Sequence, residues 1–363
     1  MATTYKTFLN NDITSTKTLL HEAIPLTGSL VSGTYGTFPN GGNIKNYAHG
    51  MFQSIFDYPY LSSSANHIFD LTVGYSSLSG LSSSANTQNS KKINIYNQMA
   101  QILVGYDATG SILRFDRDGN ITGGGNKLDE CLFINFSRLL SKDEIKKGSF
   151  SLTLGTGSYG SALDTGERIV IQDTNAQNDY RVNSPAGEYG ILSCSSGRDA
   201  SLGTPSCGLI FYQAGIAVLS GSVFTNADGG GILAGSPIMR KSVDDSVETS
   251  QFSGSLTGTA ISGCCDNLRH RIYDMSFNNT TELNSTIHFC RINHNDYNYS
   301  TNPTYLSASK IVVKNNTQDA PVSYITTVGL YSADNELLAV AKLSEPLKKD
   351  PTNEMTVRVR LDY

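Results

Sequence analysis

A chain of 363 residues is long enough to bury one large β domain or two smaller ones. With 27 Lys and Arg against 32 Asp and Glu, the net charge of -5 argues against a nucleic-acid backbone as partner. Only 16% of residues are charged and 34 are Gly, a mixture that favours strands and turns over long helices. Trp is absent while Tyr occurs 19 times, and tyrosine suits contacts in which the ring is buried and the hydroxyl stays wet.

The first 35 residues read as short strand or arm segments, with residues 4–8 extended and Pro25 and Gly28 as punctuation. The N-terminal MATTYKTFLNND has no apolar h-region, so no secretory signal is expected. From Asn43 to Asp57, Ile44, Tyr47, Ala48, Met51, Phe52, Ile55 and Phe56 recur at helical spacing and predict an amphipathic helix that Pro59 ends. IFDLTVGY, closing at Tyr75, predicts a strand. The Ser-rich stretch Ser76–Ser90 predicts a surface loop, having too few large apolar groups to build a core. Ile93, Tyr96, Ala100, Leu103 and Val104 trace a second helix face, with Gly105 just past its end. YDATGSILRFDRDGNIT then reads as strand, turn, strand, turn, with Thr109-Gly110 and Asp118-Gly119 at the turns.

Cys131–Leu154 holds strand, helix and strand signals in succession. CLFINFSRLL is a buried-strand pattern, Ser141 with Glu144 forms a capping box for a short helix, and Gly148 closes it. In SFSLTL, Phe150, Leu152 and Leu154 share one face. Further strands are expected at Glu167–Gln172, Gly187–Cys194, Leu209–Leu219 and Ala260–Cys264, and a short helix at Ser236-Pro237. Gly208–Leu219 is too short to span a bilayer, and no membrane partner is expected. Near the end, Ser285–Ile292 and Lys310–Val313 predict strands, and Tyr324–Tyr331 pairs with Leu337–Leu343 across Asp334-Asn335. Pro346 and Pro351 place the following link in a loop. In the last strand Met355, Val357, Val359 and Leu361 alternate with polar residues, predicting a buried face paired with that hairpin. The fold expected is mainly β with a few helices (α+β) on antiparallel sheets. It divides into a mixed α/β part (1–148), a Gly/Ser-rich β part (149–263) and a sandwich-like C-terminal antiparallel part (264–363).

Chemistry is sparse. Gly155-Thr-Gly157-Ser-Tyr-Gly160 matches a dinucleotide fingerprint after a strand, but no helix follows to hold a pyrophosphate, so a Gly-rich hairpin loop is expected and no cofactor. Asp116, Asp118 and Asn120 resemble the opening of a calcium loop, yet Ile121 stands where the turn needs Gly and Lys127 where it needs Glu, which favours an Asp-Gly turn. The six cysteines have no framework spacing and point to reduced thiols. Cys264, Cys265, His270, His288, Cys290 and His294 are the sharpest metal-ligand candidates, but they lack zinc spacing, so no metal is expected. There is no G-x-S-x-G elbow and no Walker lysine, and no enzyme is expected.

Several segments, among them KKINIYNQMAQILVGYDATGS, FINFSRLLSKDEIKKGSFSLTLG and SYITTVGLYSADNELLAVAKLSEPLKKDPTNEMTVRVRLDY, resemble a family of virion structural proteins of T-even-like contractile-tailed bacteriophages. The resemblance covers most of the chain and is weakest over 155–263. It implies a tail subunit in or near the baseplate, assembled in the host cytoplasm and located in the virion. Its partners would be copies of itself and other tail proteins, with the Arg358 and Arg360 face of the last strand as a candidate contact. Two alternatives accompany it: a peripheral tail-fibre or receptor-binding protein, and a carbohydrate-cleaving tail enzyme.

Overall fold

The computed structural model describes residues 5–26, 42–155, 168–194, 206–224 and 256–363, the last span without 301, 309, 314, 315 and 317, together with two short strands between 239 and 249. The chain is mainly β with a few helices, and every strand pair whose register is defined is antiparallel. It forms two compact units, residues 1–19 with 282–363, and residues 20–281. Both boundaries of the three-part division expected from composition fall inside the second unit.

In chain order the strands and helices are β1 (Ile13–Pro25), β2 (Ile44–Asn46), β3 (Gln53–Phe56), β4 (His67–Tyr75), α1 (Asn89–Leu103), β5 (Glu130–Phe136), α2 (Arg138–Ser141), β6 (Glu144–Ile145), β7 (Ser151–Gly155), β8 (Arg168–Gln172), β9 (Arg181–Ser184), β10 (Gly187–Cys194), β11 (Ser206–Phe211) and β12 (Ile216–Ser220). The pair β13 (Met239–Arg240) and β14 (Glu248–Thr249) precedes α3 (Ile261–Arg269) and the long β15 (Ile272–Ile292). Then come the pair β16 (Leu306–Ser307) and β17 (Lys310–Ile311), and finally β18 (Ser323–Tyr331), β19 (Leu337–Lys349) and β20 (Met355–Asp362). The polypeptide passes from one unit to the other within β1 and β15.

In the second unit the sheet runs β15, β7, β8, β10, β11, β12, β5, β4, β3, β2, ending at β2. Its middle strands are apolar on both faces because both faces are covered. On one side of β5, Phe133 joins Phe115 (5.7 Å), which meets Tyr96 of α1 (5.5 Å) and Phe211 (6.3 Å). On the other, Phe136 meets Phe150 (6.1 Å) and Phe277 (4.8 Å). Gly74 lets α1 lie against β4: a Cβ there would stand 2.6 Å from the Lys92 carbonyl oxygen and 2.8 Å from the Tyr96 nitrogen. Helix α1 agrees with its sequence pattern, and Gly105 closes it with φ +83°. The Ser-rich segment before α1 is irregular as expected, but it is anchored. The Ser76 amide donates to the Asp129 carbonyl (2.7 Å), the Ser79 hydroxyl to Glu130 Oε1 (2.5 Å), and the Thr87 amide to the Thr257 carbonyl (2.8 Å). Beside it the buried Lys92 ammonium donates to the carbonyls of Thr87 (2.9 Å), Thr259 (2.7 Å) and Leu256.

Five local expectations are corrected. The helix expected at 43–57 is the hairpin β2–β3, turned at Gly50 (φ +62°) with the Gly50 amide on the Tyr47 carbonyl (2.9 Å). Pairing of β3 with β4 supplies the tertiary contact that overrides the helical spacing. The capping box at Ser141 and Glu144 does not form. Ser141 ends the single turn α2, Lys142 (φ +54°) reverses the chain, and Glu144–Ile145 pairs with Thr280 and Asn279 of β15. Leu209–Leu219 is two strands joined by a turn at 212–215, where Gly215 has φ +66°. Ala260–Cys264 begins a helix, and Gln88 Oε1 accepts the Ile261 amide (2.9 Å) at its start. Lastly, β19 runs through Pro346, which lies opposite the register shift between Ile325 and Thr327. The expected helix at Ser236-Pro237 lies outside the described residues.

In the first unit β20 pairs with β15, with Met355 opposite Ile292 and Asp362 opposite Ser285, rather than with the 324–343 hairpin. The alternation in β20 is as expected: Val359 is buried, Met355, Val357 and Leu361 are half-buried, and the intervening residues are exposed. The hairpin β18–β19 turns at Asn335 (φ +64°) and is a separate two-stranded sheet. The buried Lys349 at its end donates to the His294 carbonyl (3.1 Å), Asn298 Oδ1 (2.6 Å) and the Asp350 carbonyl (2.7 Å).

Candidate functional site

Near the β2 edge of the second unit, one face of the sheet carries a polar row. Register sets Lys45 opposite Ser54, Ser54 opposite Asp70, Asp70 opposite Asn135, and Asn135 opposite Ile216. Residues directly opposite in antiparallel strands share a face, so the row crosses β2, β3, β4, β5 and β12. Strand alternation turns Gln53 to the other face, where its Nε2 donates to Asp266 Oδ1 of α3 (2.9 Å) and Arg269 holds the same oxygen at 2.7 Å.

Aromatic rings crowd the β2 end of the row. Tyr47 and His49 stack at 5.1 Å with 9° between planes, and Phe52 lies 4.8 Å from Tyr47. Phe56 sits between His67 (5.5 Å) and Tyr60 (6.3 Å). Lys45 Nζ stands 4.9 Å from the Tyr47 ring centre and 6.0 Å from that of Tyr60, joining the two groups. These rings are half-buried or exposed, as a contact surface requires.

Asp70 is the hub. Its Oδ1 accepts from the Ser54 hydroxyl and lies 2.8 Å from His67 Nε2, while Ser54 Oγ is also 3.2 Å from the Tyr47 hydroxyl. Among the described residues, Asp70 Oδ2, the Asn135 amide and the Lys45 ammonium have no hydrogen-bond partner. Ser, His and Asp are the residue types of a hydrolytic triad, but their order here is wrong. The hydroxyl is held by the carboxylate and no imidazole faces it as base, so this contact activates no nucleophile. No second carboxylate joins these contacts, and nearby Asp57 is occupied by the Asn66 amide (2.6 Å) and Asn66 Nδ2 (2.8 Å). The arrangement offers donors, acceptors and ring faces, which is binding chemistry.

The sequence-selected residues lie elsewhere. Among the described residues no three His, Cys, Asp or Glu side chains converge as a metal site. Cys264, Cys265 and His270 belong to the second unit, and His288, Cys290 and His294 to the first. Both helix thiols are buried; Cys265 Sγ donates to the Leu71 carbonyl (3.3 Å), and burial raises its pKa well above the usual thiol range. The His288 ring lies tilted against Phe8 at 5.3 Å, His294 Nδ1 lies 3.3 Å from Glu354, and Cys290 is half-buried with its thiol pKa raised by desolvation. In the DRDGN turn the Lys127 ammonium takes the position a cation would need: it lies 2.7 Å from the buried Asp116 Oδ2 and donates to the carbonyls of Asn120 and Ile121, each at 3.0 Å. Gly119 (φ +79°) makes the turn. Of the Gly-rich motif, Gly155 ends β7 and residues 156–160 lie outside the described residues. Arg360 is tied to Asp362 Oδ1 (2.7 Å) and the Ser285 hydroxyl (3.0 Å), whereas Arg358 is exposed and makes no hydrogen bond or ion pair among the described residues.

Sequence reasoning passed over Lys45, Ser54, Asp70 and Asn135, because a row across strands is set by register and has no linear spacing. The signal nearest to them was the aromatic density of 47–60, absorbed by the helical reading. No protein-family model, curated protein or solved structure matches this chain.

Proposed function

We propose that the chain is a structural subunit of a contractile phage tail, in or near the baseplate, working through contacts with copies of itself and other tail proteins in the virion. The observation that supports this reading, beside the sequence resemblance, is the exposed apolar surface of the first unit. Its hairpin β18–β19 leaves Tyr324, Tyr331, Leu337, Leu338 and Val340 exposed, and Tyr5 packs edge-on to Tyr331 at 4.9 Å. A two-stranded ribbon has little stability alone, and open strand edges flanked by apolar side chains are templates for association. A subunit covered by neighbours needs no other protection.

Among the described residues no helix is long and apolar enough to cross a membrane. The test is to count this chain in purified virions by mass spectrometry and to locate it along the tail by labelling. A fixed copy number per particle with label at the baseplate is the expected result; absence from washed virions would overturn the reading.

A further inference from the structure

We infer that the aromatic and polar face at the β2 edge binds two successive neutral pyranose residues of a glycan. The inference does not rest on the tail assignment. It rests on three unused polar groups beside half-exposed rings, all on one side of one sheet. Asp70 Oδ2 is an acceptor with no donor, the Asn135 amide offers both kinds of group, and the Lys45 ammonium meets only the ring faces of Tyr47 and Tyr60.

Sugar hydroxyls both donate and accept, so a ligand that satisfies the carboxylate and amide on adjacent strands together with the ammonium two strands beyond the carboxylate is a polyol. Asp70 and Asn135, opposite each other on adjacent strands, stand about 5 Å apart, the order of spacing between hydroxyls across a pyranose ring, while Lys45 lies two strands from Asp70, about 10 Å, where the next residue of the glycan would fall. The axial hydrogens of a pyranose form an apolar patch that packs on an aromatic face, and Phe56, 5.5 Å from His67, and Tyr60, beyond it beside Lys45, offer such faces along the row. An anionic ligand is disfavoured because Asp70 would oppose it, and a cationic one because Lys45 would. Asp70 is well prepared: the Ser54 hydroxyl and His67 fix one carboxylate oxygen, so its other oxygen holds its direction without cost on binding. With no second carboxylate in these contacts, the face holds a sugar without cleaving it.

The test uses the full chain and a panel of neutral disaccharide glycosides built from glucose, galactose, mannose, N-acetylglucosamine and rhamnose, with glucuronate and glucose 6-phosphate as charged controls. Ligand-observed saturation-transfer NMR reads binding, and titration reads affinity. At least one neutral glycoside should bind, and Asn135→Ala and Lys45→Ala should each weaken it about fivefold or more while the melting temperature stays within about 2 °C of wild type. Neither residue takes part in the Ser54–Asp70–His67 contacts, so loss of fold is not the expected cause. Tyr60→Leu should weaken binding as well, and Arg358→Ala, in the first unit, should not. The inference is overturned if no neutral glycoside binds, if binding survives both Asn135→Ala and Lys45→Ala, or if only the charged controls bind.

Discussion

Lys127 is the residue whose removal most directly tests the reading of the DRDGN turn. Its side chain is 11% exposed and that of Asp116 is 0% exposed, and Nζ lies 2.7 Å from Asp116 Oδ2 while donating to the carbonyls of Asn120 and Ile121 at 3.0 Å. Lys127→Met keeps the aliphatic stem and removes the ammonium. Two carbonyls then lose their donor, and a carboxylate without access to water loses its counter-charge. Breaking one side of a buried ion pair costs about 3–5 kcal/mol. The amides of Asp118 (3.0 Å) and Asn120 (3.3 Å) still reach the other Asp116 oxygen, which places the expected loss at the lower end, about 3 kcal/mol. Urea unfolding of both proteins measures it, with the m-value as a check that both unfold from equally compact states. The double variant Asp116→Asn with Lys127→Met should recover part of the loss, because the stranded charge is gone. A single-variant loss below about 0.5 kcal/mol, or a double variant no better than the single, would refute the reasoning.

Lys92→Met strips the donor from three buried carbonyls and should cost about 3 kcal/mol or more in chemical unfolding; a neutral substitution would mean that water reaches those groups. Gly74→Ala forces a Cβ against the backbone of α1 and should cost about 2–3 kcal/mol, measured the same way. Asp173 accepts from the amides of Gly148 (2.8 Å) and Phe150 (2.9 Å) and from the Tyr212 hydroxyl (3.1 Å), yet burial outweighs these bonds and raises its pKa above the usual carboxylate range. The folded state therefore holds this proton more tightly than the unfolded one, so the contribution is full at low pH and falls as pH rises through the raised pKa. The penalty of Asp173→Asn should then be largest near about pH 3 and shrink toward neutrality, and a penalty growing with pH would reverse the assignment. In β20, Val359→Asp buries a charge and should cost about 3 kcal/mol, whereas Arg358→Asp should cost less than about 1 kcal/mol in thermal unfolding and be read in virion incorporation instead.

Elements whose pattern was complete within a few residues were legible. Helix α1 shows its apolar face and its closing glycine, β10 is bounded by the residues that its pattern gives, and the turn at Asp334-Asn335 joins the strands it should. The misreadings share one cause: local spacing does not record which distant strand a segment pairs with. Ile44, Met51, Phe52 and Ile55 fit a helical wheel, and only the pairing of Gln53–Phe56 with β4 decides for strands. In the same way the strands within Leu209–Leu219 are apolar because both are covered on both faces, and reading them as one run across Gln213 hid the turn at Gly215. The partner of β20 was misassigned because the nearest hairpin in sequence is not its neighbour; β15 is, some sixty residues upstream.

The candidate site was less legible than the fold, for a reason that follows from sheet geometry. A motif read along the chain requires its residues on one helix face, one strand or one turn, as in the Asp116–Lys127 loop, where the Asp-Gly turn was legible and the ion pair of Lys127 with Asp116 was not. Lys45, Ser54, Asp70 and Asn135 are nine, sixteen and sixty-five residues apart in succession, and each is an ordinary strand residue by itself. What makes them a set is that three successive strand pairings have registers placing them on one line. A shift of one residue in any of those registers would send that strand's member to the opposite face. The β3–β4 register is therefore as much a part of the site as the Asp70 carboxylate, and Gln53 secures it from behind through its bond to Asp266. Gln53→Leu, which leaves every residue of the row unchanged, should on this argument loosen the β2–β3 edge and weaken glycan binding without touching the ligand. Hydrogen exchange at the Ser54 and Ile55 amides should rise in that variant; unchanged protection together with unchanged affinity would show that the row holds its alignment without support from α3.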